Sequence, residues 1–212
     1  MILVTGGLGF IGSHTVVSLQ EKGHEVLIVD DLSNATIEVL DGIEAASGTR
    51  PKLEVLNLQD SVGVAEIFQA YNITGIIHFA AAKAVGESVQ KPIAYYQNNL
   101  GSLLNLLAEI EKSHKPIPFI FSSSCTVYGE AETLPITERA PIQPAMSPYG
   151  NTKQVGEEIL ADTVNALEGF RVISLRYFNP IGAHASNAIG ELPLGNPQNL
   201  VPFITQTAAG LY

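Results

Sequence analysis

Thr5-Gly6-Gly7-Leu8-Gly9-Phe10-Ile11-Gly12 is the stretch that decides the fold. It follows the apolar run Ile2–Thr5, which reads as a buried strand, and opens onto Phe10–Lys22, a helical stretch stopped by Gly23. Gly6, Gly9 and Gly12 form a G-x-x-G-x-x-G set at that strand-to-helix turn. In such a turn the first glycine permits the tight bend, the second lets backbone approach a pyrophosphate, and the third lets the helix pack closely on the sheet. The positive end of the helix then favours phosphate charge. Strand, glycine turn and helix in this order make a dinucleotide-binding fingerprint.

Outward from that turn, short apolar runs alternate with longer helical stretches. Strands are expected at 25–29, 53–56, 75–79, 118–121 and 171–175. Helices are expected at 37–47, 61–71 (capped by Asp60 or Ser61), 92–113 and 147–167, the last with its start bent around Pro148. Strict alternation of buried strands with helices predicts the α/β class: a doubly wound parallel sheet, or Rossmann fold, covered on both faces. Past Asn179 the texture changes, with Gly182, Gly190, Pro193, Gly195, Pro197 and Pro202 marking a loop-rich region before a last helical segment, 200–209. Residues 1–178 are therefore read as the nucleotide-binding domain and residues 179–212 as the loop-rich start of a second, incomplete one.

Composition narrows the function. With 212 residues and 46% hydrophobic content, one sizeable core is affordable, and 15% charged residues argue against disorder. A formal net charge of -10 disfavours nucleic-acid backbone and anionic membrane surfaces as partners. Backbone N–H groups can nevertheless hold a phosphate. No apolar run is long enough to span a bilayer, and no signal peptide precedes the first strand. A single cysteine, Cys125, rules out an intrachain disulfide and fits a cytoplasmic location. Five scattered histidines, with no paired spacing, argue against a metal site.

Three further features carry chemistry. Asp30 falls at the end of the second strand, where a carboxylate accepts hydrogen bonds from adenosine ribose hydroxyls and repels a 2′-phosphate. With Asp31 beside it and no Arg before Arg50, the cofactor read is NAD rather than NADP. Tyr149 and Lys153 are four residues apart, so on a helix they share a face. An ammonium near the phenol is expected to lower its pKa and make it a base near neutral pH. Ser122, Ser123 and Ser124 close the fifth strand at its carboxyl end, where ligands sit in such sheets, and Ser124 is the choice for a substrate hydroxyl. Cys125 has no His partner to make it a nucleophile.

Together these residues resemble the extended short-chain dehydrogenase/reductases. Within them the runs His78–Pro92, Tyr95–Asn99 and Leu175–His184 are similar to the UDP-galactose 4-epimerases, and the likeness covers essentially the whole chain. The resemblance implies NAD contacts from Gly6, Gly9, Phe10, Ile11, Gly12, Asp30, Asn34, Phe79, Ala80, Ala81, Lys83, Asn98, Ser122, Tyr149, Lys153 and Phe178. It also implies UDP-sugar contacts from Lys83, Ser124, Tyr149, Tyr177, Asn179, Asn199 and Leu200. Catalysis would fall to Tyr149, Lys153 and Ser124, inverting C4 of a UDP-hexose through a 4-keto sugar. Family members usually place an Asp after the third strand against the adenine; here Asn57-Leu58 stands there. They also continue into a domain that supplies much of the UDP grip, so turnover by this chain alone is left open, and they act as homodimers. Nucleotide-sugar 4,6-dehydratases are the nearest alternative, but where they carry an Asp-Glu pair this chain has Cys125-Thr126. The Lys83–Ser88 stretch argues against UDP-glucuronate epimerases and decarboxylases. A non-catalytic NAD-binding module is the alternative from another class.

Overall fold

The computed structural model describes residues 1–197 and 199–211. Residues 198 and 212 of the expected 179–212 segment lie outside them. In chain order the elements are β1 (Ile2–Thr5), α1 (Phe10–Glu21), β2 (Val26–Asp30), α2 (Val39–Ser47), β3 (Lys52–Val55), α3 (Ser61–Ala70), β4 (Gly75–His78), α4 (Val85–Gln90), α5 (Pro92–Ser113), β5 (Phe119–Ser124), α6 (Pro148–Ala166), β6 (Val172–Tyr177) and α7 (Leu200–Ala208), with a 3-10 turn at Cys125–Tyr128. Strands in parallel ladders alternating with helices place the chain in the Rossmann-like α/β class, as expected.

The chain divides into two compact units. The first holds Met1–Asn57, Tyr71–Ala80 and Asn179–Tyr212. Its four strands run parallel in the order β3-β2-β1-β4, with Ile2 opposite both Val26 and Gly75, and Leu27 opposite Lys52. Every residue of β2 and β4 is buried, which explains their unbroken apolar sequences. β3 carries Lys52 and Glu54, and its Val55 is exposed.

The second unit holds Leu58–Ala70 and Ala81–Phe178. β5 and β6 pair in parallel from Phe119 opposite Val172 to Ser124 opposite Tyr177. α5 buries Tyr95, Asn99, Leu103, Leu106 and Ile110, a stripe at helical spacing, and packs against α6. Asp60 is the cap of α3, its Oδ1 accepting the Val62 and Gly63 N–H groups at 3.0 and 3.2 Å.

Three sequence expectations needed correction. Pro148 is the first residue of α6 and Ser147 accepts the Gly150 N–H at 3.1 Å, so the proline starts the helix rather than bending it. α4 was not anticipated, because Val85–Gln90 has little apolar periodicity. β5 runs on to Ser124 and the chain then makes the 3-10 turn, capped by Ser124 through the Thr126 N–H at 3.2 Å. The expected strand, 118–121, covered only the apolar part of that run, with the serines at its carboxyl end.

Candidate functional site

The glycine turn belongs to the first unit. Gly6 has φ +65°, and a Cβ on it would lie 2.7 Å from the Ala80 nitrogen. A Cβ on Gly12 would lie 2.2 Å from the Gly6 carbonyl oxygen, so α1 starts directly against the turn. The cradle thus exists only because these positions lack side chains. Gly9 caps α1 from an extended conformation with no side-chain hydrogen bond, leaving first-turn N–H groups for an anion. Phe10 and Ile11 form that first turn.

Asp30, ending β2, organises this turn. Its Oδ2 accepts the Leu8 N–H at 3.1 Å and its Oδ1 the Leu32 N–H at 3.0 Å. Burial pushes its carboxyl above the usual carboxylate range, and these two N–H groups oppose the rise. Each oxygen retains a lone pair for a ribose hydroxyl. Beyond β4, the Phe79 N–H donates to the Thr5 carbonyl at 3.0 Å and the Ala80 N–H reaches the Thr5 hydroxyl at 3.4 Å, so both residues lie beside the end of β1. Asn34, Asn57 and Asn179 are exposed. Asn199 caps α7 and donates its side-chain amide to Glu191, and Leu200 is exposed.

The second unit gathers Tyr149, Lys153, Ser122 and Ser124. Lys153 is buried; its ammonium donates to the Ser122 carbonyl at 2.7 Å and lies 5.0 Å from the Phe121 ring centre and 5.8 Å from that of Tyr149. Burial pulls its pKa down to about 8. The expectation that Lys153 depresses the Tyr149 phenol is corrected by the structure. Burial pushes that phenol up, and the Ser124 side chain is the group that opposes the rise. The ammonium directs its short bond at the Ser122 carbonyl. The Ser122 carbonyl is accordingly occupied from within the chain.

Other expected residues of this unit are spread over its loops. Lys83 is exposed in the segment before α4, while Ala81 and Asn98 are half-buried. The side chain of Leu58 is in the core and its carbonyl accepts the Asn105 amide at 2.8 Å. Tyr177 is half-buried at the end of β6, burial raising its pKa, and Phe178 beyond it is exposed. Burial also pushes the Cys125 thiol up, which suits an unreactive cysteine.

Two residues were missed. Asn99, rather than its neighbour Asn98, clamps the loop after β4: its Oδ1 accepts the Ala82 N–H at 2.8 Å, and its Nδ2 donates to the Ala82 carbonyl and to the Thr152 hydroxyl, both at 3.0 Å. The available signal was a polar residue on the apolar stripe of α5. Glu157, four residues after Lys153, accepts the Ser123 hydroxyl and pairs with Arg176. Among the described residues no group of three or more His, Cys, Asp or Glu could hold a metal ion, and no helix is long and apolar enough to cross a membrane.

With this geometry in hand, comparison with known proteins gives a coherent result. Residues 3–211 match the family model described as GDP-mannose 4,6 dehydratase. A UDP-glucose 4-epimerase from Yersinia enterocolitica is 47% identical over 209 residues, covering 99% of this chain and 62% of the relative. The chain therefore spans less than two thirds of that relative's length. A crystal structure of a UDP-glucose 4-epimerase from Bifidobacterium longum in complex with NAD+ and UDP matches with a TM-score of 0.96 and 44% identity, over all of this chain and 63% of that one. One from Stenotrophomonas maltophila, with bound NAD and formylated UDP-arabinopyranose, matches with a TM-score of 0.94 and 44% identity, over 100% and 62%.

Proposed function

Because the chain belongs to the family described as GDP-mannose 4,6 dehydratase, a family of extended short-chain dehydrogenase/reductases, we propose that it binds NAD and carries the catalytic half of a UDP-glucose 4-epimerase. The observation that carries the reading is the group of buried Lys153 and Ser124 with half-buried Tyr149 at the carboxyl end of β5, in a chain whose glycine cradle admits a pyrophosphate.

The residues fit NAD. A Cβ on Gly6 or Gly12 would strike backbone of the turn, so glycine alone permits this close packing of turn and helix; the start of α1 offers N–H groups to the pyrophosphate, and Asp30 would accept ribose hydroxyls and repel a 2′-phosphate. Phe10, Ile11, Asn34, Asn57, Leu58, Phe79, Ala80, Ala81, Lys83, Asn98, Ser122 and Phe178 complete the assignment. Bound NAD supplies a reversible hydride acceptor and a positively charged ring that favours a nearby phenolate.

The rest of the chemistry falls to the chain. The Tyr149 oxygen takes the proton of the sugar's C4 hydroxyl and later returns it. The Ser124 hydroxyl stabilises the phenolate and hydrogen-bonds the sugar oxygen at C4. Lys153, with its pKa lowered to about 8, holds a charge that is readily given up, and it anchors the helix to Ser122. Lys83, Tyr177, Asn179, Asn199 and Leu200 are assigned to the UDP-sugar. Dehydration is disfavoured because Cys125 and Thr126 occupy the positions of its acid–base pair. Neither is an acid or base near neutral pH, burial raising the thiol further.

Residues 1–178 are taken as the NAD-binding domain and 179–212 as the start of the UDP-sugar-binding domain. Homodimerisation through α5 and α6 is supported by exposed Ile93, Leu104 and Val164, and a cytoplasmic setting by the unpaired Cys125. The test is conversion of UDP-galactose to UDP-glucose in the presence of NAD, by this chain and by the chain extended to its relatives' length. Tyr149→Phe should abolish conversion while leaving NAD binding intact. Failure of the extended chain to convert either sugar would end the proposal.

A further inference from the structure

Tyr149, Lys153 and Glu157 succeed one another at four-residue intervals on α6, so they lie along one face of the helix, each step rising about 6 Å. The first two belong to the proposed site. Glu157 has no part in it, yet it is largely buried (side chain 12% exposed), a costly place for a carboxylate without a purpose.

Its partners explain what it holds. Oε1 accepts the Ser123 hydroxyl at 2.5 Å and the Arg176 Nε at 2.9 Å, and Oε2 accepts an Arg176 terminal N–H at 2.6 Å. The pair is therefore bidentate, the strong geometry for guanidinium and carboxylate. Arg176 also donates to the Tyr128 hydroxyl at 3.1 Å, with its guanidinium 5.0 Å from the centre of that ring. Ser123 and Arg176 sit opposite each other in the β5–β6 ladder, so one carboxylate grips both strands at the same rung. Tyr128 extends the grip to the 3-10 turn that Ser124 caps.

The two residues flanking Ser123 are those that meet the site. Ser122 gives its carbonyl to Lys153, and Ser124 carries the side chain that opposes the rise of the Tyr149 phenol. Near Lys153, α6 is held by the Lys153 bond to Ser122 and by the Gln154 amide, which donates to the Val127 and Gln143 carbonyls at 3.0 and 2.6 Å. The bidentate anchor one turn further along is the one that ties the helix to β5 and β6 together. We propose that Glu157, clamped by Arg176, is a positioning residue that fixes the rotation of α6 on the ends of β5 and β6, so that the Tyr149 hydroxyl meets the Ser124 hydroxyl. The proposal rests on the reading of Tyr149 and Ser124 as the proton-handling pair and adds to it the group that sets their alignment.

Charge and position have opposite signatures here. Removing the carboxylate alone would leave Arg176 uncompensated, and its positive charge would favour the phenolate and lower the phenol pKa. Losing alignment would weaken the Ser124 hydrogen bond and raise it. The double variant Glu157→Met/Arg176→Met keeps the net charge and much of the volume while deleting the directional bonds. Replacing a buried pair by apolar residues of similar size is often tolerated.

The experiment uses the whole chain biosynthetically labelled with 3,5-difluorotyrosine, whose phenol titrates lower and within a range the fold withstands. The ¹⁹F resonance of residue 149, assigned through Tyr149→Phe, is followed against pH without cofactor or substrate. Ser124→Ala should raise the midpoint by about half a unit to one unit, the worth of one modest hydrogen bond to the charged form. The double Met variant should raise it by at least half as much, with unchanged circular dichroism. Ser123→Ala, which keeps the ion pair, should move it in the same direction by less, and it carries the test if the double variant does not fold. An unmoved midpoint in the Glu157 and Ser123 variants, with Ser124→Ala shifted, overturns the positioning role and leaves the site standing. An unmoved midpoint in Ser124→Ala overturns the pairing of Ser124 with Tyr149 itself.

Discussion

Gly12→Ala is the sharpest perturbation of the cofactor half. The added Cβ would lie 2.2 Å from the Gly6 carbonyl oxygen, 2.8 Å from the Gly7 Cα and 3.0 Å from the Gly6 carbonyl carbon, and ordinary contact begins at 3.4 Å. All three neighbours are backbone, so no side chain can swing away. The start of α1 must part from the turn by about 1 Å, the scale on which a misplaced group can cost on the order of a hundredfold in function. Overpacking of this kind costs about 1–3 kcal/mol, offset by roughly 1 kcal/mol because alanine favours helix over glycine. Net stability should thus fall by no more than about 2 kcal/mol, and the protein should still fold. Affinity should suffer more: each backbone N–H lost to a charged phosphate is worth about 1.5–3 kcal/mol, or roughly 10- to 100-fold in Kd. The chain has no tryptophan, so isothermal titration calorimetry with NAD is the assay. A Kd within about threefold of the parent, roughly 0.7 kcal/mol, would refute the reading of this turn as the pyrophosphate cradle.

Three other outcomes follow from particular contacts. Lys153 has its pKa pulled from 10.5 to about 8, so the folded state binds fewer protons than the unfolded between those values. The associated stability is fully present above 10.5 and is lost as pH falls through 8. Urea unfolding at pH 7.5 and 9.5 should therefore show the parent gaining on Lys153→Met by about 2 kcal/mol at the higher pH, whereas equal differences at both would show the ammonium is not desolvated. Ser147→Ala removes the cap of α6 and should cost about 1 kcal/mol, lowering Tm by about 2–4 °C in a scanning calorimeter. Gly101→Ala in α5, where the nearest atom of another element to the new Cβ is the Gln59 Cγ at 4.0 Å, should stabilise by about 0.5–1 kcal/mol in urea unfolding; destabilisation would mean that α5 is packed more tightly than the structure has it.

What was readable in the sequence was local. The glycine turn declares itself because three backbone demands fall within seven residues that also lie between a strand and a helix. Tyr149 and Lys153 were legible because helical periodicity alone puts them on one face. α5 was placed at Pro92–Ser113 to the residue, because Pro92 opens it and a long apolar stripe sustains it. What escaped depends on tertiary contact. Glu157 and Arg176 are 19 positions apart and meet only through the β5–β6 ladder. α4 has no apolar period and is held by the Ser88 hydroxyl on the Val85 carbonyl and by Tyr95, whose hydroxyl accepts the Ala84 N–H and donates to Glu87. The direction of the Tyr149 pKa was misjudged for the same reason. Spacing reveals a neighbouring ammonium but says nothing of burial, and burial is the larger influence.

The chemistry at C4 is most directly tested by isotope retention. UDP-galactose deuterated at C4 is incubated with NAD and the chain extended to its relatives' length, and the products are read by NMR. The epimerase account predicts UDP-glucose that keeps its deuterium at C4, with Tyr149→Phe giving no product. Replacement of that deuterium by solvent hydrogen, or undiminished conversion by Tyr149→Phe, would contradict it.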